Sequence, residues 1–157
     1  MPPSLIPAWL RPPAVRRALG LGLVALSIAA ALLVTQYPFH LRLGTASLSR
    51  IDWRLYYLDS GHSVRDLVQN LLMLVPLGVG LALARHGLAS LARIALEACA
   101  LGFGTSVLLE ALQIFQRGRF PQAADVWRNG AGCVVGAVLV ALVLRAIDRR
   151  RSVADAS

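Results

Sequence analysis

Four long apolar runs divide this chain. They fall at about residues 18–36, 67–84, 94–115 and 126–144, with shorter polar stretches between them. Each is about 18 to 22 residues long, the length an α-helix needs to cross the hydrocarbon core of a bilayer. The pattern predicts an all-α fold: a polytopic membrane helical bundle of about four transmembrane helices. Residues 1–17 form a Pro/Arg-rich leading segment, 18–146 the membrane domain, and 147–157 a basic tail.

Punctuation supports these limits. Five prolines in the first 13 residues predict an irregular start. Arg16-Arg17 then precedes a run reaching Val34 that is longer than the apolar region of a signal peptide, so an uncleaved first span is expected. Gly87 follows Arg85-His86 as a C-terminal turn signal, and Phe120-Pro121 marks a helix stop or restart. Pro76 predicts a kink in the second span. Gly78 and Gly80, like Gly132 and Gly136, leave room for a neighbouring helix to approach closely.

Composition agrees. The chain is 57% hydrophobic and 15% charged, against about 45–50% and about 25% for soluble domains. Its net charge of +8 comes from sixteen arginines and no lysine, spread between the apolar runs rather than gathered on one polar face. That spread excludes nucleic acid as the expected partner and points to membrane-flanking charge. Cys99 and Cys133 lie inside apolar runs and read as small buried hydrophobes. His40, His62 and His86 share no ligand spacing and read as surface residues, so neither a metal site nor another cofactor is expected.

Nine arginines (11, 16, 17, 85, 93, 145, 149, 150 and 151) fall on the side of the chain ends and second connection. Seven (42, 50, 54, 65, 117, 119 and 128) fall on the other. The clusters at 16–17 and 149–151 place both termini in the cytoplasm and the remaining loops outside. Arg50 to Leu58, with Trp53, Tyr56 and Tyr57, reads as a short interfacial amphipathic helix.

The informative chemistry is polar. Asp66 and Asn70 are four apart at the outer end of the second span. Ser106, Glu110, Gln113 and Arg117 step by four, three and four along the third, and Asp125 and Asn129 are four apart at the start of the fourth. Residues three or four apart share a helix face, so three helices carry polar stripes at one membrane level. Such stripes turn away from lipid. Two readings stand side by side. In one, Asp66 and Asp125 cap helix starts, while Asn70, Gln113 and Asn129 glue helices together. In the other, the stripes line a site. Glu110 is the costliest residue of the set and calls for a neutralising arginine or a bound proton. Glu97 is expected to pair with Arg93, four positions back.

These residues carry a family resemblance. Tyr37-Pro38-Phe39, the run D-L-V-Q-N-L-L-M-L-V-P-L-G from Asp66 to Gly78, and the stretch from Glu110 to Gly136 resemble the VanZ-like family of bacterial membrane proteins. Asn70 precedes Pro76 by six, Glu110 precedes Gln113 by three, Arg119 precedes Asp125 by six and Asp125 precedes Asn129 by four. Leu74 departs from a position that is often Phe. The resemblance implies a helical bundle in the bacterial inner membrane, set in the cell envelope. The family takes its name from a teicoplanin-resistance protein, and the resemblance implies no reaction.

The leading expectation is an envelope protein with an outward polar pocket for an anionic or glycopeptide-like component, such as a lipid-linked cell-wall precursor. Asp66, Asn70, Glu110, Gln113, Arg117, Arg119, Asp125 and Asn129 would form it. Arg117, Arg119 and Arg128 suit phosphate or carboxylate because guanidinium donates in pairs. A second expectation is a small membrane enzyme with Glu110 and Asp125 as acid and base on an envelope lipid or glycan. A third is a structural partner of another membrane protein.

Overall fold

The computed structural model describes residues 12–39, 51–54, 64–116 and 120–155. It contains α1 (Pro13–Gln36), α2 (Val64–Met73), α3 (Val75–Arg85), α4 (Leu91–Gln113) and α5 (Ala123–Asp155). The pair α2–α3 forms one interrupted span, so four helical spans are long and apolar enough to cross a membrane. The described residues include no strand. We call the end where α1 stops, α2 starts and α5 starts the distal end, and the opposite one the proximal end.

The helices outrun the apolar segments of the sequence. Pro13 opens α1 because its fixed φ and missing N–H suit a first-turn position. The 33 residues of α5 extend about 50 Å and carry the helix through the basic tail to Asp155. The kink expected at Pro76 is realised as a full interruption at Leu74 (φ −103°, ψ 6°), with the proline in the first turn of α3. Pro76 offers no N–H to the preceding turn, and its ring crowds the carbonyl four residues back.

Small residues set the packing. A β-carbon added at Gly132 would fall on the Leu71 carbonyl oxygen, and one at Gly136 would crowd that of Val75. The α2–α3 span is thus laid backbone to backbone against α5. Gly78 meets the Cys133 backbone in the same way, and Gly20 and Gly80 bring α1 and α3 together. Around these contacts Leu74, Leu77, Ile94, Ala98, Leu109, Cys133 and Ala137 form the core. The outer surface is apolar too: Leu26, Val34, Leu96, Leu139 and Val143 are all more than half exposed. In a bilayer that surface meets lipid rather than water.

The proximal end is closed by ion pairs. Gly87 (φ +78°) turns the chain out of α3 in the left-handed region glycine favours. The Ser90 hydroxyl then caps α4 by accepting from the Arg93 amide. Glu97 pairs with Arg93 as expected, and also takes a two-pronged contact from Arg85 at 2.7 and 3.0 Å. His86 departs from its surface reading: it is 8% exposed and its Nε2 lies 2.8 Å from the Asp148 carboxylate. Arg145 adds a bond to the Ala89 carbonyl. Together these contacts fasten the α3–α4 turn to α5.

Near the distal end, Asp52 pairs with the strip before α5. Its N–H donates to the Pro121 carbonyl and its carbonyl accepts from the Ala123 amide. Residues 51–54 therefore run extended beside the start of α5, where the sequence pattern suggested an interfacial helix. These backbone groups find partners across the chain instead of within a helical turn. Tyr56 and Tyr57 lie outside the described residues.

Candidate functional site

The three polar stripes meet at the distal end. Asn70 on α2 donates through its side-chain amide to Asp125 on α5 at 2.6 Å. Arg128, one turn along α5, donates to the same carboxylate oxygen at 3.2 Å. Asp66 lies one turn before Asn70 on the same side of α2. On α4, the Ser106 hydroxyl donates to the Asp125 carbonyl at 3.4 Å and accepts from the Asn129 amide at 3.1 Å. The helix-to-helix hydrogen bond expected of Asn129 thus exists, with Ser106 as its partner. A connected network from Asn70 to Asn129 joins α2, α4 and α5.

Glu110 has a different set of neighbours. One carboxylate oxygen accepts from the Gln113 amide at 3.3 Å, the other from the backbone N–H of Gln122 at 2.9 Å. Gln122 immediately precedes α5, so this buried carboxylate sits at the helix start. There orphan amides need acceptors and the helix dipole favours negative charge. Sequence reasoning did not anticipate this backbone amide, which no spacing rule reveals; Arg117 and Arg119, the arginines expected near Glu110, lie outside the described residues. Glu110 holds the α4–α5 connection, whereas Asp125 belongs to the Asn70–Arg128 group.

Two further residues were not anticipated. Gln36, at the end of α1, donates to the Leu109 carbonyl at 3.3 Å. Gln116 donates to the Gln36 side-chain and backbone oxygens at 2.6 and 2.9 Å. Both glutamines are buried and tie α1 to the end of α4. Arg117 and Arg119, two of the expected binding residues, lie outside the described residues.

Two buried polar atoms in the network have no hydrogen-bond partner: Asn129 Oδ1, an acceptor, and Arg128 Nε, a donor. Asn129 is 1% exposed and Arg128 9%. The Arg128 guanidinium also stands 5.7 Å from the Trp127 ring centre, within cation–π range. An unmet buried polar group costs about 1–3 kcal/mol, so a site with one spare donor and one spare acceptor is chemically ready for a polar group. Among the described residues no cluster of three or more His, Cys, Asp or Glu is arranged to hold a metal ion.

Four apolar helices enclosing a hydrogen-bonded polar cluster at one end define a polytopic helical membrane protein. The chain belongs to the VanZ/LLP1 family, whose model matches residues 21–144. No curated protein and no solved structure matches the chain at a significant level.

Proposed function

We propose that this VanZ/LLP1 protein binds an anionic component of the bacterial cell envelope at its distal polar cluster. The observation that carries the reading is Arg128: a guanidinium about nine-tenths buried, engaged with Asp125 through one nitrogen and holding a spare Nε donor. A phosphate or carboxylate accepts from such a group in a forked geometry that a single contact to Asp125 does not exhaust. Arg117 and Arg119, placed by the sequence in the connection leading to α5, add to the positive charge available.

On this reading the protein sits in the inner membrane with both termini cytoplasmic, so the distal cluster faces the cell wall. A lipid-linked cell-wall precursor or a glycopeptide of the teicoplanin kind fits the required chemistry. Among the described contacts, Glu110 and Asp125 share no hydrogen-bonding neighbour.

The test is a binding titration of the purified protein in nanodiscs with lipid-linked pyrophosphate, glycerol phosphate and teicoplanin. At least one anionic probe is expected to bind, and Arg128→Gln to weaken it about tenfold or more, one charge-assisted contact being worth about 1.5–3 kcal/mol. Equal binding by the folded variant and wild type would refute the assignment.

A further inference from the structure

We infer that the ligand of the distal cluster is a membrane amphiphile, taken from the bilayer along the seam between α2 and α5. Its headgroup joins an anionic group to a hydroxyl or ammonium donor. This deepens the proposed function and rests on it.

The headgroup chemistry follows from the two unmet atoms. Arg128 Nε is a buried donor in want of an acceptor, and Asn129 Oδ1 a buried acceptor in want of a donor. They belong to consecutive residues of α5, Arg128 bonded to the Asp125 carboxylate and Asn129 linked through Ser106 to the Asp125 carbonyl. A bare phosphate satisfies the first and leaves the second. A phosphate ester bearing a hydroxyl or an ammonium satisfies both.

The route follows from α2. This helix has no buried residue, and it packs on α5 and on its own continuation α3. Its exposed surface carries Val64, Leu67, Val68 and Leu72, which are 77, 39, 43 and 56% exposed, beside exposed Arg65 and Gln69. The apolar part of that surface faces lipid. Asp66 and Asn70 on α2 and Asp125 on α5 are half-buried, whereas Ser106 and Asn129 beneath them are sealed. The partly open side of the cluster therefore follows the α2–α5 seam, flanked by acyl-chain territory. The interruption at Leu74 frees α2 from the rigidity of a continuous helix, and Asn70–Asp125 is a polar bond holding α2 to α5 one turn before that interruption. A headgroup arriving along the seam exchanges its own donor for that of Asn70.

The experiment is native mass spectrometry of the full chain with phosphatidylglycerol, phosphatidylcholine and water-soluble glycerol phosphate, together with photo-crosslinking by a headgroup-labelled phosphatidylglycerol. Phosphatidylglycerol is expected to be retained at least tenfold better than phosphatidylcholine, and millimolar glycerol phosphate to leave it in place. Arg128→Gln should lower retention about tenfold, whereas Arg149→Gln/Arg150→Gln, at the opposite end of α5, should not. Crosslinks should fall within 64–73 or 123–130. Should Arg128→Gln fail to fold, the wild-type crosslink map decides by itself. If glycerol phosphate binds as tightly as the lipid, the site draws on water, and the inference fails while the proposed function stands. If no anionic probe binds in either experiment, both fail. Crosslinks confined to 149–150 overturn the inference and assign the lipid to the basic proximal rim.

Discussion

The side-chain amide of Asn70 and the carboxylate of Asp125, 55 positions apart in sequence, meet at 2.6 Å. Since α2 buries no side chain of its own, this bond contributes much of its polar attachment. Asn70→Leu is expected to lower stability by roughly 0.6–1.7 kcal/mol, the range for interhelical hydrogen bonds in membranes. Asn70→Asp should cost more, because it sets a further carboxylate against Asp125. Unfolding by denaturing detergent in mixed micelles measures both, and a leucine variant as stable as wild type would show that packing alone holds α2.

Ser106 and Asn129 form the sealed end of the same network. A double-mutant cycle with Ser106→Ala and Asn129→Ala should give a coupling of about 0.6 kcal/mol or more. Asn129→Ala alone removes both the bond and the unmet Oδ1, so it should be less damaging than Asn129→Leu, which also crowds the α4–α5 contact at Ser106. Strictly additive single effects would dissolve the pairing.

The glycines separate into two kinds. Gly132→Ala forces a β-carbon onto the Leu71 carbonyl oxygen and is expected to cost about 1–3 kcal/mol, the usual penalty of overpacking. Gly104 has nothing within 4 Å of its added β-carbon. Gly104→Ala should therefore be neutral or stabilising by up to about 1 kcal/mol, through reduced backbone entropy in the unfolded chain. Thermal midpoints of the two variants should move in opposite directions or differ by several degrees.

At the proximal end, Asp148→Ala leaves the buried His86 imidazole without its described partner, at an expected cost of about 1–3 kcal/mol. Arg93→Ala removes only an exposed contact to Glu97 and should cost under about 0.5 kcal/mol. Protease accessibility of the α3–α4 turn, compared between the two variants, tests this ranking.

The four spans, the polar stripes and the break near Pro76 were legible because each is a local pattern: run length, a three-or-four step, a missing N–H. The glycine contacts of α5 were legible for the same reason. What escaped was pairing across the fold. Gln36 and Gln116 are 80 positions apart and sit at helix ends, where a glutamine reads as an ordinary boundary residue. The contact of Glu110 with a backbone amide leaves no mark in side-chain spacing. His86 looked exposed because it closes a span, yet α5 runs far enough beyond its apolar stretch to cover it with Asp148. The short bridge at Asp52 was hidden for another reason: an amphipathic pattern describes a helix only when the backbone has no better partner.

The instructions for seating α2 are written largely outside α2. The Leu71 carbonyl of α2 rests in the hollow that Gly132 leaves open and the Val75 carbonyl, just past the interruption, in that of Gly136, while most α2 side chains point outward. A saturation scan of folding would therefore find α2 broadly permissive along its lipid-facing side and α5 intolerant at two residues that possess no side chain at all.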